Sequence, residues 1–453
     1  AFAIYDAQKL SLIIVRDRLG IKPLYYFYNN NTVIFASEIK AILESNTVSN
    51  EINSQAARLF LLYGSVPAPM TIYKKITSLE PGHFLIINKE GLRKNRYYDL
   101  GNAFSDTSLL NLSEEDAIER VRSCLNETMK CHLISDVPVG AFLSGGIDST
   151  AIAALMREVE HKTIKTVSVV FPNTLYDEAE YAKLAAREFE TEHVEVKVNG
   201  KNMIEHLDKI LNSMDQPTID GVNTYFVSWA TAQAGLKVAI SGVGGDEIFG
   251  GYPSFIQIPK LYDFLRVLSW IPFGRKTARS ILKNSNRSLM AKLHSMLSFD
   301  PSIPDIYLNY RCVFTEEQIY KLLHPDLAKE ALDGIEPRSF LTGCSKTGSK
   351  FNAISLLETT SYMRNQLLRD TDVFSMAHSL EVRVPFVDHT LVELLAKISV
   401  KFKAKKDMHK RLLIKALNKK LPEEIIQRPK KGFTFPFDLW LREELKDIVV
   451  VRL

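Results

Sequence analysis

Ser144-Gly145-Gly146-Ile147-Asp148-Ser149 are the residues whose types and spacing most directly imply chemistry. Ala141-Phe142-Leu143 before them reads as the end of a buried strand, and Thr150 to Arg157 after them reads as a helix. Strand, small-residue loop and helix make backbone N–H groups and a helix N-terminus converge on a phosphate. The two glycines let the backbone close on an anion. Ser144 and Ser149 add hydroxyl donors, and Asp148 is suited to Mg2+. The loop lacks the Gly-Lys-Ser/Thr of the usual P-loop, so no lysine from it reaches the outer phosphates. A serine-capped glycine turn would also explain the six residues alone.

The surroundings argue for more than a turn. Ser241-Gly242-Val243-Gly244-Gly245-Asp246 follows a second short strand, Val238 to Ile240. If the two strands are neighbours, Asp148 and Asp246 share magnesium on the phosphates of one nucleotide. Ser-Gly-Gly-x-Asp-Ser resembles the pyrophosphate loop of ATP pyrophosphatases, which transfer AMP and release pyrophosphate.

The elements that must position these loops follow from pattern. Residues 1–45 carry short apolar or alternating runs at Ala1–Tyr5, Leu10–Arg16, Leu24–Tyr28 and Val33–Ser37. Asp-Ala-Gln-Lys, Leu-Gly-Ile-Lys-Pro and Asn-Asn-Asn separate them, the punctuation of antiparallel hairpins. Residues 53–63 read as helix, His83–Asn88 as a strand after the Pro81-Gly82 turn, and 101–112 as a linker. From Ser113, with Asp116 three residues on, a helix begins; Ile118, Val121, Leu125, Met129 and Leu133 mark one face. Strands Ala141–Leu143, Thr166–Phe171, His193–Val198 and Val238–Ser241 then alternate with helices Thr150–Val159, Glu178–Glu188 and Lys201–Met214. That alternation predicts an α/β fold, a parallel sheet with helices on both faces and ligands beyond the carboxyl ends of the strands. After Pro253 the chain reads as mostly helical.

Bulk properties bound the class. A chain of 453 residues, 46% hydrophobic, buries substantial cores and suggests about two or three domains. The net charge of +4 is small and its carriers are interspersed, so neither nucleic acid nor membrane is an expected partner. Lys401 to Arg411 is the densest basic stretch; it reads as a solvated face or an approach to an anionic nucleotide. Cys124, Cys131, Cys312 and Cys344 form neither a Cys-x-x-Cys pair nor a disulfide framework, as in a reducing compartment. With no apolar run of span length and no signal peptide, a cytoplasmic protein is expected. The chain opens on Ala1 inside a strand and ends at Leu453 inside a helix, so further residues at either end are expected.

Four motifs in order carry a specific resemblance: Ser144–Ser149; Ser241 through Tyr252; Ser379-Leu-Glu-Val-Arg-Val-Pro-Phe386-Val-Asp388; and Arg428-Pro-Lys-Lys-Gly-Phe433. Over roughly residues 113–440 the chain resembles the synthetase domain of glutamine-hydrolysing asparagine synthetases. Val15 to Tyr25 and Phe35 to Lys40 resemble the later strands of a class II glutaminase domain. The resemblance thus implies the C-terminal part of an antiparallel α+β glutaminase domain over 1–105 and an ATP-pyrophosphatase-type domain over 113–453. Class II glutaminases use an N-terminal cysteine, and the first cysteine here is Cys124, within a predicted helix. This chain by itself is therefore not expected to release ammonia from glutamine.

The resemblance implies that a carboxylate attacks the α-phosphate of ATP, giving an acyl-adenylate and pyrophosphate, and that ammonia then displaces AMP. Ser144, Gly145, Gly146, Asp148 and Ser149 would hold pyrophosphate, and Asp148 and Asp246 would bind Mg2+. Leu143, Val169, Ser241 and Gly242 would contact adenosine. Lys430, or else Lys431, would stabilise charge at the α-phosphate. Partners would be ATP, glutamine or ammonia, and aspartate or another carboxylate, with a homodimer as the assembly left open. Asparagine synthetases usually carry glutamate at the position of Val243, and some relatives with altered motifs act on β-lactam precursors, sugar acids or peptide carboxylates. A non-catalytic nucleotide-binding protein is the reading from a different class. Three lesser features remain. Glu381 and Arg383 read as a structural ion pair beside the site. Asp215-Gln216-Pro217 reads as an N-cap turn or as the start of a helix lining the acceptor pocket. His132, His378 and His409 read as structural or surface residues.

Overall fold

A computed structural model describes the chain apart from residues 30–31, 161, 172–177, 283–287, 333, 342–343, 345–346, 405–407, 419 and 453. The hairpin punctuation does its work at the front, where seven strands form: β1 (Phe2–Asp6), β2 (Ser11–Val15), β3 (Tyr25–Asn29), β4 (Thr32–Ala36), β5 (Thr77–Ser78), β6 (His83–Asn88) and β7 (Gly91–Arg96). They make two antiparallel sheets, ordered β1-β2-β6-β7 and β4-β3-β5. Two residues of the Asn-Asn-Asn turn, 30 and 31, lie outside the described residues. Period-two alternation on β3 buries Tyr25 and Phe27 against Ile39, Ile42 and Ile76. The helix Ser54–Tyr63 starts on Asn53, whose side chain accepts from the N–H groups of Gln55 and Ala56.

Residues 101–105, expected as linker, are instead helical within Leu100–Ser105. Asp99 caps this turn, and Leu100 and Phe104 are buried in the same core as Val121 and Leu125. Two apolar residues four apart on a six-residue stretch were too faint a periodicity to register against Gly, Asn and Ser around them.

The expected parallel sheet is present and has five strands: β8 (Val139–Phe142), β9 (Lys165–Val170), β10 (Glu192–Lys197), β11 (Val238–Ile240) and β12 (Glu381–Arg383). Their order is β10-β9-β8-β11-β12, and every pairing is parallel. The chain runs outward from β8 through β9 to β10, then returns to lay β11 on the other side of β8. That reversal is a topological switch point, where the carboxyl ends of neighbouring strands open a crevice. Helix Glu114–Leu133 packs Ala117, Val121, Leu125 and Met129 inward at helical spacing. Helix Ile147–Val159 is buried continuously from Ser149 to Met156. It begins three residues earlier than Thr150, so Asp148 and Ser149 sit in its first turn rather than in the loop.

β12 was not expected as a strand. Its Glu381 and Arg383 do form the structural pair, 2.8 Å apart, and Arg383 also donates to the carbonyls of His132 and Ile134. After Pro253 the described residues are mostly helical, as expected. Lys350–Leu357 continues through an eleven-residue π-helical stretch, Glu358–Leu368, into Arg369–Met376. No helix among the described residues is long and apolar enough to cross a membrane.

Candidate active site

The two motif loops leave adjacent strands at the switch point, with Ala141 of β8 in register with Ile240 of β11. The first loop is folded on its own hydroxyls. Ser144 N–H donates to Ser149 Oγ at 3.1 Å, the two hydroxyls lie 3.1 Å apart, and Ser149 Oγ donates to the Gly146 carbonyl. Gly145 takes φ +69°, and a Cβ there would lie 2.5 Å from the Tyr181 backbone. The second loop presses against the first. A Cβ on Gly242 would lie 2.8 Å from Asp148 Cβ, and one on Gly245 would lie 2.4 Å from Asp148 Oδ1. Only glycine permits this approach, and it places Asp148 and Asp246 in one corner.

Lys410 occupies that corner. Its Nζ donates to Asp148 Oδ2 and lies 2.5 Å from Asp246 Oδ1, while Lys430 Nζ lies 2.5 Å from Asp246 Oδ2. The Lys410 side chain is only 2% exposed, against 32% for Lys430. Burial pushes the Asp148 carboxyl up, against the pull of Lys410. Burial also opposes the charge of Asp246, but Lys410 and Lys430 outweigh it and hold that carboxyl below its ordinary value. Asp148 Oδ1 is buried with no hydrogen-bond partner among the described residues. Two converging carboxylates with an orphaned oxygen fit a hard divalent ion. The described residues hold no cluster of three or more His, Cys, Asp or Glu, so such an ion needs phosphate oxygens or water to complete its shell.

A cleft of about 930 Å3 opens over the corner. Leu143, Ser144, Gly146, Asp148, Ser149, Val169, Ser241, Gly242, Asp246 and Lys430 all line it. Gly145 does not; it turns toward Tyr181. Lys431 and Val243 line the cleft too. The basic loop is anchored by Arg428, which pairs with Glu178, stacks 4.2 Å over the Tyr181 ring and donates to the Gly145 carbonyl. The front region contributes Tyr63, at the end of its helix, and Ser65 and Pro67 just after it to the wall.

Sequence reasoning missed several residues here. Lys410 lies in the basic stretch, whose solvated-face reading holds at exposed Lys401 but fails at two lysines: Lys403 is buried, donating to Asn352 Oδ1 and the Leu395 carbonyl, and Lys410 is in the site. The alternative, approach to an anion, was the available signal; residues 405–407 of the stretch are outside the described residues. His409, read as structural or surface, lines the cleft. Asp215 does not cap the helix that follows it. It accepts from Ile39 N–H at 2.7 Å and Lys40 N–H at 3.2 Å, and Gln216 accepts from Ile72 N–H, so this turn ties the sheet domain to the front.

The helix after it, Val222–Gln233, does line the cleft, through Asn223, Thr224 and Val227. Just ahead of it stands Asp220, its carboxyl pushed up to about 6 by burial and then by Asp370. Asn223 Nδ2 donates both to Asp220 Oδ1 at 3.1 Å and to the Phe433 carbonyl at 2.8 Å. Asp220 is thereby linked to the loop that carries Lys430. Among the described residues no ion pair involves it.

A parallel sheet with a cleft between paired loops at its switch point, preceded by antiparallel β-sheets, defines a two-part α/β protein. Residues 120–452 match the asparagine synthase family model, and residues 1–98 match the glutamine amidotransferase domain model. The chain belongs to the asparagine synthase family. Asparagine synthetase [glutamine-hydrolyzing] 1 of Bacillus subtilis is 31% identical over 456 residues, covering 99% of this chain and 69% of that protein. A putative asparagine synthetase [glutamine-hydrolyzing] 2 of Methanocaldococcus jannaschii is 37% identical over 281 residues, 59% of this chain and 53% of its own length. The protein named amidase chry2 of Gibberella zeae is 25% identical over 494 residues, covering 99% and 72%.

Proposed function

We propose that this chain carries the synthetase half of an ATP-dependent, amide-forming ligase of the glutamine-hydrolysing asparagine synthetase type, acting in the cytoplasm. The observation that carries the reading is the meeting of Asp148 and Asp246 over one cation position at the mouth of a large cleft. A carboxylate oxygen of the acceptor attacks the α-phosphorus of ATP and pyrophosphate leaves. Ammonia nitrogen then attacks the acyl carbon, AMP leaves, and one proton must depart from nitrogen. Bound Mg2+ would neutralise the phosphates and polarise them toward attack.

The chain's own residues supply the rest. The N–H groups and hydroxyls of Ser144, Gly146 and Ser149 hold the pyrophosphate, with Gly145 shaping the turn behind them. Asp148 and Asp246 hold the metal, and Leu143, Val169, Ser241 and Gly242 bound the adenosine. Lys430 places its charge where the α-phosphate gains negative charge, and Lys431 stands beside it. Val243 cannot take a proton. Asp220 can: it lines the cleft, has no ion-pair partner among the described residues, and its carboxyl is pushed up to about 6 by burial and by Asp370.

Aspartate is the leading acceptor. Val243 at this wall, together with relatives named amidases, favours keeping a second acceptor class, such as a sugar acid, within the same chemistry. The test is to supply ATP, Mg2+ and ammonium chloride with aspartate or a uronic acid and to quantify AMP and amide. One acid yielding AMP and amide in equal amounts is expected; release of ADP and phosphate, or no nucleotide turnover with any carboxylate, refutes the reading.

A further inference from the structure

Lys410 is held more tightly than a surface lysine needs to be. It adopts φ +52°, a left-handed conformation costing a non-glycine residue about 1 kcal/mol, at the head of the helix Arg411–Ala416. Its stem passes Gly251 so closely that a Cβ there would lie 2.2 Å from Lys410 Cε and 1.9 Å from Asp246 Oδ1. Backbone strain, a forced glycine and burial together aim one ammonium at both carboxylates. With Lys430 on Asp246, the four charges of the corner cancel.

A divalent ion held between the two carboxylates would need the space beside these oxygens. Lys410 Nζ stands in that space, bonded to Asp148 Oδ2 and 2.5 Å from Asp246 Oδ1. Metal and ammonium cannot share it, and a divalent ion that displaces Lys410 with no phosphate present would leave the corner with excess positive charge. A triphosphate removes that excess and offers the displaced ammonium new oxygen partners. We infer that Lys410 is a substrate-contacting residue and an internal stand-in for the metal: it closes the Asp148–Asp246 cradle in the free protein and passes to the phosphates when nucleotide and metal enter together. This rests on the reading of the cleft as a Mg–ATP site and adds an order to it, with no metal loading before nucleotide.

The test uses thermal melting and needs no turnover. Lys410→Met leaves two buried carboxylates facing each other, so it melts lower than wild type but is rescued by metal. Adding 10 mM MgCl2 without nucleotide should raise its melting temperature by at least about 3 °C and leave wild type unmoved. Mg2+ with α,β-methylene-ATP, whose α–β bridge cannot be cleaved, should stabilise wild type and stabilise Lys410→Met less than wild type. If Lys410→Met does not fold, Lys410→Arg serves: its larger head should weaken the nucleotide-dependent shift while Mg2+ alone still does nothing. Equal responses of wild type and Lys410→Met to Mg2+ alone overturn the inference. Absence of any nucleotide-dependent shift in wild type overturns the ATP reading beneath it, a distinguishable failure.

Discussion

Two acidic regions line one cleft and differ in the charges set beside them: burial raises both Asp148 and Asp220, but only the first region has lysines to oppose it. Asp148 and Asp246 are buried between two lysines, and the charge of Asp246 is favoured. Asp220 is flanked by an amide from Asn223 and by another acid, Asp370, and its charge is disfavoured. Paired carboxylates hold cations; an unpaired one near neutrality trades protons. In the proposed reaction one end of the cleft serves phosphate and metal and the other proton removal, and the difference lies in the neighbours rather than in the residue type.

Breaking the paired end should have the largest effect. Asp148→Ala or Asp246→Ala is expected to cut ATP–pyrophosphate exchange by about 10^3-fold or more while circular dichroism stays native, since Mg2+ and phosphate charge lose their anchor. Lys430→Ala should lower kcat about 10^2-fold with a smaller change in the KM for ATP, separating transition-state from ground-state contact in steady-state kinetics.

At the unpaired end, Asp220→Asn should leave pyrophosphate exchange near wild type and slow amide formation about 10^2-fold. In wild type the amidation rate should rise with pH through about 6, where Asp220 ionises, and the variant should lose that limb. Stability runs the other way. A carboxyl raised from 3.8 to about 6 by burial favours the folded state fully below 3.8, and that contribution is lost as pH rises through about 6. Asp220→Asn should therefore melt higher than wild type at pH 8 and show little gain at pH 4. The smallest effect is expected at Glu247, pushed up to about 8 by burial and Asp246 and accepting from Tyr252 OH at 2.8 Å. Burial favours its neutral form, which glutamine mimics, so Glu247→Gln should cost less than about 1 kcal/mol in denaturant titration.

The two ends were not equally readable from sequence. The loops at 144–149 and 241–246 announce themselves because glycine, serine and aspartate at strand ends have few other reasons to cluster. Lys430 came with its motif and lies on Asp246. Lys410 was hidden in a basic run because burial of a lysine depends on partners 262 and 164 residues away in the chain, which periodicity does not see. Asp220 was equally silent: an acid in a turn looks solvated until Asp370 and the cleft wall are packed against it. In the fold, strands β8 to β11 follow from alternation with helices. β12 does not, since three residues joined to β11 only after a long helical excursion carry no local pattern.

The most direct test of a shared metal is a double-mutant cycle on nucleotide-dependent Mn2+ binding, read by electron paramagnetic resonance with α,β-methylene-ATP. Asp148→Asn and Asp246→Asn should each weaken binding strongly, and the double variant should lose much less than the sum of the two. Additive losses, or full Mn2+ affinity in either single variant, would contradict one ion held from both loops.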